Sequence, residues 1–404
     1  MVDPSINERD GRLDKLQLVA LAGLMFIGAA FVFSATMVNP DEVARPWFAQ
    51  TWFHQVIWYI MGIGAGAAIC LVDYHALARW SLVIYWATIF FLIIVLIPHV
   101  GSMRFGARRW IDLKVFLFQP SEFAKLAFIL AAAHFLSRPE DELKETGVFW
   151  KGIGMMMLPF VLILKEPDLG SALVLLPTGL VMMFAAGTPR GYLIRLLGAV
   201  GVFAALFVGD ILFAPRGLQI PMQPYQRDRL LVYFNRDYTN FAPRHATAAE
   251  LQSLQQQQFN DEYNVRQALI SVGSGGLMGK GWRQGTQNAL GYLPRAVAHN
   301  DFIFSVIAEE EGFVGSVVVL ALYAVVLFTG LRIAGQARDR LGRLVVVGVV
   351  TLVFSHVFIN IGMNIRIMPV TGVPLPLLSY GGSSVLCSLI AMGLMQNVHI
   401  NRRG

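Results

Sequence analysis

The sequence predicts an all-α polytopic membrane protein: ten transmembrane helices, with one large extracytoplasmic loop between the seventh and the eighth. Three observations predict it. The chain of 404 residues is 55% hydrophobic and only 14% charged, whereas a soluble domain carries about 25% charged residues. Apolar runs of about 20 residues recur along it, the length of a membrane-crossing helix. These runs are continuous rather than alternating, which excludes a β-barrel. The two cysteines, Cys70 and Cys387, both fall inside apolar runs, so neither a disulfide framework nor a metal cluster is expected. The net charge of +6 suits contact with anionic lipid or phosphate. No nucleic-acid partner is expected.

The elements follow in order. Met1 to Lys15 is polar, and the first apolar run is a full span, Leu18 to Met37, so no cleavable leader is expected. The second span is His54 to Val72 and the third Trp80 to Ile97, with a tight turn between them. A basic, aromatic loop follows, GSMRFGARRWIDLKVFLFQPSE. The fourth span opens at Pro120-Ser121, both helix-start residues, and runs to Leu136. The fifth, Phe149 to Leu164, is short and Met-rich; KEPDLG (Lys165 to Gly170) separates it from the sixth, which ends at Ala186. The seventh runs from Leu196 to Phe213.

Ala214 to Asn300 is the long hydrophilic loop. Its Gln-rich AELQSLQQQQFN reads either as a surface helix or as a disordered insert. The eighth span is Phe302 to Leu331 and the ninth Leu344 to Ile361. NIRIMPVTGVPLPLLSYGGSS gives a Pro- and Gly-broken re-entry before the tenth, which ends at Val398. The whole chain, 1–404, reads as one membrane domain.

Ten spans put both termini on one side. The short loops on that side carry about twice the Lys and Arg of the opposite ones, among them Arg79, Arg138, Arg190, Arg338 and Arg340. The positive-inside rule therefore makes both termini cytoplasmic. One outward loop breaks the rule: Arg104, Arg108, Arg109 and Lys114 crowd around Trp110. An anionic ligand at the outer leaflet would account for it.

The chemistry concentrates between Ile270 and Glu310. Asp301 stands where polar chain meets the apolar run, and a partly desolvated carboxylate there has the marks of a functional acid. The alternative is a helix cap, for which Asn300 and Asp301 both qualify. Gly273, Gly275, Gly276, Gly279 and Gly281 around Lys280 could form a backbone nest for phosphate, or simply a flexible loop. Glu122 and Lys125 are three apart and share a helix face, as a functional pair or a structural ion pair. Lys165, Glu166 and Asp168 form a second outward charged cluster. Carboxylates, cations and aromatics facing one leaflet fit a lipid-linked phosphate bearing a polar head such as a sugar.

The motifs GARRWIDL…FQPSEFAKL, KEPDLGSAL, SVGSGGLMGKGW…GTQ…LP…DFIFSVIAEE and NIGM…PVTGVPLPLLSYGGSS closely resemble the SEDS family of bacterial cell-wall polymerases, and its elongation branch more than its division branch. The resemblance covers nearly every span. It implies a ten-helix glycosyltransferase of the bacterial cytoplasmic membrane that polymerises lipid II, for cell elongation and shape. A class B penicillin-binding protein and other elongation-complex membrane proteins would be its partners. It further implies that Asp301 is the catalytic acid, and that Arg109 with Trp110, Glu122 with Lys125, and Glu166 with Asp168 occupy family motif positions. Three features depart from the pattern: His299-Asn300-Asp301 in place of His-Thr-Asp, Arg295 after the Leu-Pro, and an insertion over 238–261.

On this reading the donor is a glycan on undecaprenyl diphosphate and the acceptor is lipid II. Asp301 takes the proton of the acceptor hydroxyl, while Arg108, Arg109, Lys125 and Lys280 are candidates to meet the departing diphosphate. The reaction inverts the sugar. No cofactor is demanded; a divalent cation, Mg or Mn, between the diphosphate and Asp168 or Glu166 is compatible with the acids. The rival expectations are a lipid II flippase and a non-catalytic scaffold for the transpeptidase.

Overall fold

The computed structural model describes residues 13–98, 100–104, 107–113, 117–213, 230–234, 236–241, 247–294 and 297–403. Each expected apolar run is a helix. Eight helices are long and apolar enough to cross a membrane: α1 (Lys15–Thr36), α2 (Thr51–Cys70), α3 (Tyr74–Leu96), α5 (Thr146–Lys165), α7 (Arg190–Phe213), α9 (Ile303–Gln336), α10 (Arg340–Asn364) and α11 (Gly382–Ile400). Two more, α4 (Pro120–Leu136) and α6 (Leu169–Ala185), have 17 residues each, or about 26 Å at the α-helical rise against a hydrocarbon core of about 30 Å.

Burial ranks these helices. α4 starts with Pro120 in its first turn and buries 14 of its 17 residues, because α3, α5, α6, α10 and α11 all pack on it. α10 and α11 are 72% and 78% buried over their apolar windows, whereas α7 is 6% buried. α2 and α11 touch through glycine: a Cβ on Gly393 would lie 2.6 Å from the carbonyl oxygen of Gly66. Small residues give helices in lipid this close approach. The start of α1 and the end of α11 meet at one end of the bundle. There the Asp14 amide donates to Gln396 Oε1 at 2.9 Å, and Arg332 at the far end of α9 pairs with the Asp14 carboxylate.

Two regions between the spans take regular structure, one where only a loop is expected and one where a helix is one of two alternatives. The basic loop after α3 is a small antiparallel sheet, β1 (Gly101–Arg104), β2 (Ala107–Asp112) and β3 (Leu117–Phe118), in the order β1-β2-β3. Lys114 lies outside the described residues. The register steps from Ser102 opposite Trp110 to Met103 opposite Arg108, so Arg109 is the extra residue of a β-bulge. The Gln-rich segment is helical: α8 (Ala248–Ser274) has 27 residues and opens on a capping box of Thr247 and Glu250. Part of the long loop, including 214–229, 242–246 and Arg295, falls outside the described residues.

α9 is broken. Gly312 has φ +67 and ψ −158 inside it, a left-handed conformation only glycine adopts readily. The break frees peptide groups at membrane depth, and the GKGW segment takes them up. Lys280 N and Gly281 N donate to Glu309 O and Glu310 O at 3.0 and 2.8 Å, while Phe313 N and Val314 N donate to Gly276 O and Leu277 O at 2.9 and 3.1 Å. Non-helical backbone inside a membrane needs such partners. The N–H groups of Lys280 and Gly281, expected as part of a phosphate nest, are therefore engaged in holding α9.

Candidate active site

Asp301 lies in a turn just before α9. The N-cap position is Phe302, and no side chain caps this helix. The main chain of Asp301 is firmly held. Its N–H donates to Val297 O at 2.9 Å, and its carbonyl accepts from Asn360 Nδ2 and Asn364 Nδ2, both at 3.1 Å. Asn360 Nδ2 also donates to Val373 O at 2.7 Å, and Ser305 Oγ donates to Asn364 Oδ1 at 2.6 Å. The two preceding residues are held as well: Tyr380 N donates to His299 O at 2.9 Å and Ser379 Oγ to Asn300 O at 2.5 Å. Burial holds the His299 imidazole down at about 4, so it is neutral at pH 7. The Asp301 carboxylate reaches the bend of the Thr371–Pro374 loop, where Oδ2 lies 3.5 Å from the Cβ position of Gly372.

The turn with the other acids packs against the same loop. A Cβ on Gly170 would lie 2.4 Å from Val373 Cγ2 and 2.8 Å from Thr371 O, so the KEPDLG turn is pressed against it. Asp168 is buried and caps α6, accepting from Ser171 N at 3.1 Å. Its other oxygen accepts from Gln119 Nε2 at 3.2 Å and Ser121 Oγ at 3.5 Å. Arg109, aimed by the bulge, donates from Nε to Glu166 O at 3.4 Å and from its guanidinium to Pro167 O, and stands 4.0 Å from Asp168. Bulges re-aim side chains in this way beside active sites. Arg108 and Trp110 flank it on β2, half-buried, and Arg108 has no ion pair among the described residues.

Glu166 is the unusual group. It is 0% exposed, and neither carboxyl oxygen has a hydrogen-bond partner among the described residues. Burial, reinforced by the charge of Asp168 and opposed by Arg109, pushes it up to about 9. At neutral pH it is a protonated acid.

Glu122 and Lys125 form the pair their spacing predicts, 2.7 Å apart and 4% and 1% exposed. Sequence reasoning missed the third member. His356 Nε2 faces the ammonium at 3.0 Å, and Nδ1 lies 3.2 Å from Pro374 O. With Nδ1 protonated and donating to that carbonyl, Nε2 offers a lone pair to Lys125. The signal was present: His356, Asn360 and Asn364 recur every four residues on one face of the otherwise apolar α10.

Lys280 is placed elsewhere. Its ammonium donates to Glu309 Oε1 at 2.6 Å, Thr286 Oγ1 at 2.7 Å and Ser274 Oγ at 2.9 Å. Among the described residues no group of three or more His, Cys, Asp or Glu side chains could hold a metal ion.

The profile of the FtsW, RodA and SpoVE family, described as a cell cycle protein, matches residues 14–404. The chain belongs to this family, the SEDS family. Peptidoglycan glycosyltransferase MrdB of Escherichia coli K12 is 32% identical over 97% of this chain and 94% of its own length. Stage V sporulation protein E of Bacillus subtilis 168 is 35% identical over 95% and 96%. Among solved structures, the SEDS fold recurs in a chain from work on structural coordination of polymerization and crosslinking by a peptidoglycan synthase complex. That chain has a TM-score of 0.75 at 26% identity, covering 97% of this chain and 98% of its own. The crystal structure of the Thermus thermophilus rod shape determining protein RodA gives a TM-score of 0.64 at 26% identity, over 97% and 98%. Together with GKGW, GTQ and NIGM, the MrdB and RodA likenesses make this a RodA-type SEDS protein.

Proposed function

We propose that this protein is a peptidoglycan glycosyltransferase that polymerises lipid II into glycan strands, with release of undecaprenyl diphosphate, for cell elongation and shape. One observation carries the reading. The Thr371–Pro374 loop gathers Asp301, the Arg109–Asp168–Glu166 cluster and the Glu122–Lys125–His356 triad into one site. The names of MrdB and of its FtsW relatives support the activity.

In the reaction Asp301 accepts the proton of the acceptor's sugar hydroxyl, whose oxygen bonds to the donor's anomeric carbon. The bond from that carbon to the diphosphate oxygen breaks, and the sugar inverts. Charge grows on the leaving diphosphate, and Arg108, Arg109 and Lys125 are the cations that meet it. Glu122 and His356 hold Lys125; Asn360 and Asn364 hold Asp301. Neutral Glu166 adds no negative charge beside the diphosphate. Asp168 would hold a divalent cation, Mg or Mn, which would offset negative charge on the diphosphate.

All ten helices cross the bacterial cytoplasmic membrane on this reading, with both termini cytoplasmic and Asp301 outside. The positive-inside count and the meeting of α1 with α11 at the end away from Asp301 support it. A class B penicillin-binding protein would supply crosslinking, in keeping with the synthase complex among the structural likenesses. The broken α9 also suits a lipid II flippase. One experiment separates the two: the full chain with fluorescent lipid II, with and without its transpeptidase. Glycan polymer is expected from wild type and none from Asp301→Ala. Polymer at wild-type rate from Asp301→Ala would overturn the assignment, and flipping without polymer would favour the transporter.

A further inference from the structure

A groove of about 860 Å³ opens between α1, α2, α9 and the loop around Trp282. None of Arg109, Glu122, Lys125, Glu166, Asp168 or Asp301 lines it. Its wall is almost wholly apolar. Along α1 it runs from Phe26 to Phe33, about 10 Å at the helical rise, close to the depth of one leaflet of a core about 30 Å thick. Trp52 and Trp282 stand at its Asp301 end, where α1 finishes and α2 begins. Tryptophans at that level mark the interface of membrane and water.

One charged group breaks the apolar lining and a second stands beside it. Glu311 lines the groove, half-buried, and has no hydrogen bond or ion pair among the described residues. The exposed Arg283 guanidinium lies 5.4 Å over the ring of Phe33 and likewise has no ion pair. Phe33 lines the groove, so the guanidinium stands at its edge, and Arg283 N donates to Glu310 Oε2 at 2.9 Å. Glu310 itself is satisfied, by that amide and by Ser34 Oγ at 2.6 Å. An unpaired cation and an unpaired carboxylate at the mouth of an apolar groove call for a ligand with both charges and a tail.

We propose that this groove seats a glycerophospholipid whose head carries a phosphodiester and a primary ammonium, a phosphatidylethanolamine. The phosphate lies on Arg283, the ammonium on Glu311, and an acyl chain fills the groove. Charge favours this occupant over a lipid diphosphate, which would bring at least two negative charges to one arginine and a carboxylate. It is favoured over a purely anionic phospholipid because such a head leaves Glu311 facing a like charge.

The test is native mass spectrometry of the full chain in detergent. It is titrated with phosphatidylethanolamine, with phosphatidylglycerol of the same acyl chains, and with undecaprenyl diphosphate. Phosphatidylethanolamine is expected to bind about tenfold more tightly than phosphatidylglycerol. Glu311→Gln should erase that preference, Arg283→Gln should weaken both phospholipids alike and leave the preference in place, and Val318→Trp should block both. Equal binding of the two phospholipids by wild type, or a preference that survives Glu311→Gln, would overturn the proposal. So would undecaprenyl diphosphate displacing phosphatidylethanolamine, which would give the groove to the lipid-linked substrate. Should Val318→Trp fail to fold, the two charge variants on the rim still decide.

Discussion

The protein holds two lysine–glutamate pairs, one buried on both sides and one with its lysine partly exposed, and finishes them differently. Lys280–Glu309 is saturated: Glu309 also accepts from Ser271 Oγ, Thr286 Oγ1 and Gln287 N, and the ammonium has two hydroxyl partners besides. Lys125–Glu122 is less complete. The ammonium has Glu122 and His356, and no third partner among the described residues. On the KEPDLG turn, which packs against the Thr371–Pro374 loop, the Glu166 carboxyl has no hydrogen-bond partner among the described residues. A saturated pair is a fastening, here of the GKGW loop to the broken α9. An unsaturated one keeps donors for a ligand, at the cost of stability that full pairing would have given.

Removing one lysine at a time separates the two roles. Lys125→Met leaves Glu122 charged in a dry interior, a loss of about 3–5 kcal/mol, and takes a cation from the diphosphate, an expected fall of about 10²–10³-fold in polymerisation. Lys280→Met leaves Glu309 with three donors, so about 1–2 kcal/mol is expected, with polymerisation within about tenfold of wild type. Unfolding midpoints and lipid II turnover in the same detergent measure both. Equal losses of activity would end the distinction and return Lys280 to the substrate.

The clamp on Asp301 comes next in size. Asn360→Ala strips donors from Asp301 O and Val373 O, costing about 1–3 kcal/mol. An acid displaced by even about 1 Å loses up to about 10²-fold in rate. The signature of a positioning residue is a fall in kcat with KM for lipid II nearly unchanged; a rise in KM alone would make Asn360 a substrate contact. Gly372→Ala is milder. With φ +70 a Cβ costs about 1–2 kcal/mol, but at 3.5 Å from Asp301 Oδ2 it makes an ordinary contact, so stability falls more than rate.

Those residues also show what the sequence made legible. Pro120 set the start of α4 to the residue, and the spacing of Glu122 and Lys125 gave their pair, because both signals are local. The polar stripe of His356, Asn360 and Asn364 was visible as a period of four. Other features leave no side-chain signal. The Thr371–Pro374 loop works largely through backbone carbonyls and a bare Cα, with nothing to titrate. The break at Gly312, just after Glu309, Glu310 and Glu311, looks in sequence like any glycine inside a helix, and its satisfaction depends on a loop some thirty residues upstream. The bulge at Arg109 is a matter of register with β1, which no pattern within β2 reveals.

The last test isolates Glu166. Its carboxyl is held up at about 9 in the folded protein, against an ordinary value of about 4.3 for an unfolded Glu. Between those values the folded chain keeps a proton that the unfolded chain has lost. Stability therefore falls as pH rises through the window, by up to about 1.4 kcal/mol per unit, and levels off above it. Glu166→Gln keeps the shape of the neutral acid and loses the titration. Its stability relative to wild type should climb between about pH 6 and pH 9, as thermal midpoints across a pH series would record. A difference that stays flat would mean that Glu166 is already ionised at neutral pH. Neutral carboxyl and unsaturated ammonium would then no longer belong to one site kept clear for a diphosphate.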